Sequence, residues 1–106
     1  MKKKLININY CILALIVLYF QNVKADDLPD IGKKIFLGDG NCATCHTLQD
    51  ANSNGNIGPN LNIIKPDIAR VISVVTNGIG VMPAYEDQLS TKEIKAVATY
   101  VEKSTN

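Results

Sequence analysis

The chain has 106 residues, with 11 Lys and Arg against 10 Asp and Glu, one histidine and three cysteines. Cleavage after Ala25 would leave 81 residues (106 − 25), enough for one domain but marginal for a stable core without help. That part carries seven basic and ten acidic side chains (7 − 10 = −3) and no basic stripe to neutralise phosphates, which excludes nucleic acid as a partner.

The first 25 residues read as a leader. Lys2, Lys3 and Lys4 precede an apolar run from about Cys11 to Phe20, and Val23-Lys24-Ala25 offers small or aliphatic residues to a signal peptidase. The run is shorter than the roughly 20 residues that a membrane-spanning helix needs. Residues 1–25 are therefore expected to be a cleaved secretory signal, and residues 26–106 the domain. The alternative is a retained N-terminal anchor, the only case in which a membrane is expected. Cys11 is then a small apolar residue in a discarded peptide.

Pro29 and Asp30 suit the first turn of a helix from Leu28 to about Leu37, with Ile31, Ile35 and Phe36 on one face. Gly38-Asp39-Gly40 stops it and leads into Cys42-Ala43-Thr44-Cys45-His46. The C-x-x-C-H spacing is that of a c-type haem attachment: each thiol can add to one porphyrin vinyl group, and His46 is carried to where a neutral imidazole nitrogen can bind iron. Three rival uses of the two thiols are weaker. A zinc site asks for four ligands, and no second cluster lies downstream. A thioredoxin-type pair should follow a strand in a βαβ pattern, which is missing. A disulfide here would close a very short loop and stabilise little.

From Thr47 to Lys65 the chain reads as loop, rich in Asn and Gly and without an apolar period. A loop this long in so small a domain needs a task, and wrapping the edge of a haem is one. Pro66 and Asp67 mark a second helix carrying Ile68, Val71, Ile72 and Val75, ended by Asn77-Gly78 with glycine in a left-handed cap. Ser90-Thr91-Lys92-Glu93 is a capping box for the last helix, with Leu89 able to staple against Ile94. Ile94, Val97, Ala98 and Val101 form its apolar stripe, Tyr100 stands at the edge, and Lys92, Glu93, Lys95, Glu102 and Lys103 face water. Val71, Ile72, Val74 and Val75 could instead form a buried strand, but the i, i+3, i+4, i+7 spacing and the flanking signals favour helix. Three helices make the domain all-α.

The sixth iron ligand follows by elimination. His46 is the only histidine, so this chain alone cannot supply a second imidazole. With Met1 gone in the leader, Met82 is the one remaining methionine. It stands in Gly80-Val81-Met82-Pro83-Ala84, where Pro83 holds it in extended backbone. A thioether is a soft neutral donor, and His/Met ligation raises the reduction potential. A lone methionine as a core filler is the bland alternative, and it would leave the iron five-coordinate or ligated by a lysine.

These residues together resemble the small class I cytochromes c of the bacterial monohaem type. The resemblance covers essentially the whole of residues 26–106. It rests on Gly32 and Phe36, the Cys42–His46 motif, Gly58-Pro59-Asn60-Leu61, Met82-Pro83 and the Tyr100 helix. It implies three main helices and loops wrapped around one haem c, bound covalently through Cys42 and Cys45. It also implies that Gly32 meets the Tyr100 side of the last helix at a close crossing, where the alternative is an ordinary helix-start glycine. A third implication is that the Pro59 carbonyl accepts a hydrogen bond from the His46 ring, where the alternative is a simple turn. The expected function is a periplasmic electron carrier, a monomer and not an enzyme, with His46 and Met82 on iron and other periplasmic redox proteins as donor and acceptor. The alternatives are a haem subunit of a periplasmic dehydrogenase complex and a haem enzyme or gas sensor with a labile Met82.

Overall fold

Side chains that close helix ends determine where this chain folds up. In the computed structural model, which describes residues 8–20 and 27–106, helix α2 spans Leu28–Leu37 with Pro29 in its first turn. Helix α4 spans Ile68–Asn77, where Asp67 Oδ1 accepts the Arg70 N–H at 2.7 Å. Helix α5 spans Thr91–Thr105 and opens on a complete capping box. The Glu93 N–H donates to Ser90 Oγ at 3.1 Å, and the Ser90 N–H donates to Glu93 Oε1 at 3.0 Å. All three stand where the sequence puts them, and the domain is helix-dominated.

Helices α2 and α5 form the main packing interface. Gly32 is buried where they cross: a Cβ there would lie 2.6 Å from Tyr100 Cβ and run into the Ala96 carbonyl. Only glycine lets the two backbones come this close. One turn on, the rings of Phe36 and Tyr100 meet edge to face at 5.8 Å. Phe36, Leu48 and Val97 are the largest fully buried side chains, and Ile35, Val71, Val75, Leu89, Ile94 and Val101 complete the core around them.

Two polar residues of α5 are placed differently from their expected positions. Tyr100 is buried rather than at the edge, and its hydroxyl donates to Asp50 Oδ2 at 2.7 Å. Glu102 does not simply face water. Its carboxylate accepts the Ile68 N–H at 2.9 Å and so satisfies an open donor at the start of α4.

The segment 47–65 is not featureless. Strands β1 (Thr47–Leu48) and β2 (Ser53–Asn54) pair antiparallel around a 3₁₀ turn at Gln49–Ala51, and a single-turn helix α3 spans Leu61–Ile64. Its polar residues tie the backbone down locally. Ser53 Oγ accepts the Leu48 N–H at 3.0 Å and donates to the His46 carbonyl at 2.9 Å. Asn62 Oδ1 accepts the Gln49 N–H at 2.7 Å, and Asn60 caps α3. Short polar side chains that bond nearby backbone favour such turns, and they leave no hydrophobic period to detect.

N-terminal to the domain, helix α1 spans Ile8–Phe20, with Tyr10, Ile12, Leu13 and Leu15 exposed. No helix among the described residues is long and apolar enough to cross a membrane. The lysines at 2–4 and the Val23-Lys24-Ala25 segment lie outside the described residues.

Candidate functional site

The C-x-x-C-H segment is shaped by its backbone before any side chain acts. Gly40 N–H returns to the Ile35 carbonyl at 2.8 Å, and Asn41 takes positive φ (49°) to enter a 3₁₀ turn at Cys42–Thr44. The Cys42 carbonyl then accepts both the Cys45 and His46 N–H groups, at 3.1 and 2.9 Å. A Cβ at Gly55 would lie 2.6 Å from the Cys45 carbonyl carbon and 2.7 Å from the His46 nitrogen, so the 47–54 hairpin packs directly under the motif.

The imidazole is held on two sides. His46 Nδ1–H donates to the Pro59 carbonyl at 2.7 Å, which leaves the Nε2 lone pair for a ligand. Gly58 lies against the ring, where a Cβ would come 2.5 Å from Cε1 and 2.9 Å from Nδ1. Gly58-Pro59 is thus more than a turn.

Cys42, Cys45, His46, Pro59 and Met82 all line one cavity of about 510 Å³. That is within the roughly 300–1,000 Å³ usual for cofactor and small-molecule sites. Its walls are aliphatic and aromatic, including Phe36, Val71, Val75, Val97 and Val101. Met82 is half-buried against the core and arrives from the turn after α4. Cys42 and Cys45 are free thiols. Burial, with a smaller contribution from Cys45, pushes the Cys42 thiol up to about 11, so it is neutral at pH 7. Among the described residues no three His, Cys, Asp or Glu side chains converge on a point that could hold a metal ion.

Three features of the site were not legible as such. Arg70 is the only Lys or Arg among the described residues lining the cavity, but it looks like any solvated helix charge. Tyr85 also lines it, half-buried, and burial beside the two thiols raises its phenol. Gly58 read as part of a Gly-Pro turn, and only its contact with the imidazole shows why no side chain fits there.

Residues 27–101 match the family model described as cytochrome c oxidase, cbb3-type, subunit III, and that span contains every residue of the site. The chain belongs to the small class I c-type cytochromes. This cytochrome is 34% identical over 87 residues to cytochrome c6 of Bryopsis maxima, covering 73% of this chain and 92% of that one. It is 43% identical over 76 residues to the cbb3-type cytochrome c oxidase subunit FixP of Bradyrhizobium, covering 66% of this chain but 25% of that longer protein. The crystal structure of the c-type cytochrome SorU from Sinorhizobium meliloti superposes with a TM-score of 0.72 at 50% identity, covering 76% of this chain and 93% of that one. Membership of the family implies covalently bound haem c. The site fits that group, with an apolar cavity for a macrocycle, two thiols at the attachment spacing, a buttressed imidazole and a thioether.

Proposed function

We propose that this cytochrome is a periplasmic one-electron carrier, with a single haem joined to Cys42 and Cys45 by thioether bonds and its iron held by His46 Nε2 and Met82 Sδ. When bound, haem supplies interconversion of Fe(III) and Fe(II). The residues of the chain set the conditions for that exchange. His46 and Met82 would hold the iron between them and leave no open position for a substrate, and that combination would favour a raised potential. The apolar walls exclude water and favour the less charged reduced state. Arg70 provides a positive charge for a group that carries two carboxylates.

The observation that carries this reading is the convergence of Cys42, Cys45, His46 and Met82 on one apolar cavity, with the Nδ1 proton of His46 already committed to Pro59. Residues 1–25 are proposed to be the export signal, and the partners to be other periplasmic redox proteins that meet the cavity rim. Its exposed Ile57, Ile79 and Val81 offer a small apolar patch suited to brief encounters. A second reading, a fixed haem subunit of a larger complex, is favoured by the FixP match, in which a domain of this type is a quarter of a longer protein. Tight co-purification with a larger enzyme would support it.

The test is made on the exported protein. The carrier reading expects a mass increased by one haem, a c-type spectrum on reduction, and a sulfur-to-iron charge-transfer band when oxidised. A colourless protein with free thiols rejects it.

A further inference from the structure

Met82 is carried by a small closed loop that hangs from the end of α4. Gly78 N–H donates to the Val74 carbonyl at 2.8 Å, and Tyr85 N–H donates to the Val75 carbonyl at 2.8 Å, so both ends are tied to the same helical turn. Between them Ile79 and Met82 exchange two hydrogen bonds, Ile79 N–H to the Met82 carbonyl at 3.1 Å and Met82 N–H to the Ile79 carbonyl at 2.9 Å. Gly80 takes the first central position of this tight turn with φ +56°, a place that calls for glycine. The sequence suggests a left-handed cap at Gly78, but its φ of 74° and ψ of 167° lie in the extended mirror region that essentially only glycine enters.

The two glycines differ in their surroundings. A Cβ at Gly80 would meet nothing within 4 Å. A Cβ at Gly78 would lie 2.8 Å from the Met82 carbonyl oxygen, 2.8 Å from the Ala84 nitrogen and 3.0 Å from the Pro83 carbonyl carbon, all of them backbone. Gly78 does not line the cavity. Its missing side chain is the space into which the Met82-Pro83-Ala84 backbone folds back.

From this we infer that Gly78 is the positioning residue for the Met82 thioether: it sets how far the 82–84 backbone lies from α4, and so how often the sulfur is within reach of the iron. The inference rests on the ligand assignment proposed above. A side chain at 78 has to displace backbone, and the displaced atoms belong to the ligand residue and its two successors. A side chain at 80 strains its own φ and meets no other protein atom, although Gly80 lines the cavity.

The experiment compares ferric holoprotein of the wild type, Gly78→Ala, Gly80→Ala and Met82→Ala. It follows the sulfur-to-iron band, the midpoint potential and the rate at which cyanide reaches the iron. Gly78→Ala is expected to weaken the band, lower the potential and speed cyanide binding about tenfold beyond Gly80→Ala, the factor that corresponds to about 1.4 kcal/mol of overpacking. Gly80→Ala carries the strain of a positive φ without the backbone contact, so the excess of Gly78→Ala over it reports the contact. Equal behaviour of Gly78→Ala and Gly80→Ala would overturn the inference. So would a Gly78→Ala chain that yields no folded holoprotein where Gly80→Ala does, since the role would then be global. A band that survives in Met82→Ala sinks the ligand assignment itself and the inference with it.

Discussion

The two proposed iron ligands are supported in different ways. His46 is gripped through its side chain: its Nδ1–H bonds Pro59, Gly58 lies against the ring, and the 47–54 hairpin fills the space beneath its backbone. Met82 is positioned by the turn with Ile79, the fold against Gly78 and the constraint of Pro83, and its side chain packs half-buried against the core with no hydrogen bond to orient it. A side chain fixed by its own hydrogen bond holds its donor atom directly. A flexible side chain held only by apolar packing keeps more of its rotamer freedom. The account therefore makes His46 the permanent ligand and Met82 the one that yields under stress.

The most severe break of this asymmetry is removal of the yielding side. Met82→Ala should lower the midpoint potential by on the order of 0.2 V, a fraction of the roughly 0.8 V that axial ligand sets span. It should also admit carbon monoxide to the reduced iron. Voltammetry and gas-binding spectra read both, and an unchanged potential and spin state would remove Met82 from the iron.

Gly58→Ala attacks the gripped side. The added methyl meets the His46 ring, so stability should fall by about 1–3 kcal/mol by overpacking, with the thioether band preserved at low temperature. Denaturant unfolding together with the ferric spectrum would check this, and loss of the band before unfolding would reverse the order of weakness. A smaller effect is expected at the far end of α4, the helix from which the Met82 loop hangs. Glu102→Ala leaves the Ile68 N–H at the start of α4 without its carboxylate, which should cost about 1 kcal/mol, the usual size for a lost cap. The melting temperature would report it.

The smallest effect concerns pH. Asp50 belongs to the hairpin under His46, and its carboxylate accepts from the Tyr100 hydroxyl at 2.7 Å and pairs with Lys33 at 3.3 Å. The Tyr100 hydrogen bond first, and Lys33 second, hold the Asp50 carboxyl below its ordinary value of 3.8. A depressed acid stabilises the fold above its unfolded pKa and loses that contribution as pH falls through the folded value. The loss should therefore appear below about pH 4. Both charges of this pair are close to half exposed, so the loss should not exceed about 1 kcal/mol. Tyr100→Phe should flatten that part of the stability-against-pH curve, and an unaltered curve would show that the contact contributes nothing measurable.

Much of the molecule could be read in advance because its signals are local. Proline and aspartate at helix starts, the Ser90–Glu93 box and the apolar stripe of α5 act within one or two turns, and the helices stand where they indicate. The C-x-x-C-H spacing and the single histidine narrowed the site to residues that do share a cavity. Contacts that depend on distant segments were hidden. Glu102 looked like solvated charge because its partner, the Ile68 N–H, is 34 positions away. Asp50 and Tyr100 are 50 positions apart, and neither residue type announces the pairing. The hairpin at 47–54 escaped notice because its strands are two residues long and are held by Ser53 rather than by an apolar alternation.

The proton NMR spectrum of the reduced holoprotein tests the central claim most directly, since a methionine methyl on haem iron sits inside the ring current of the porphyrin. The account predicts one methionine methyl resonance far upfield of its ordinary position, absent in Met82→Ala. A spectrum with every methionine methyl at its ordinary shift would contradict it.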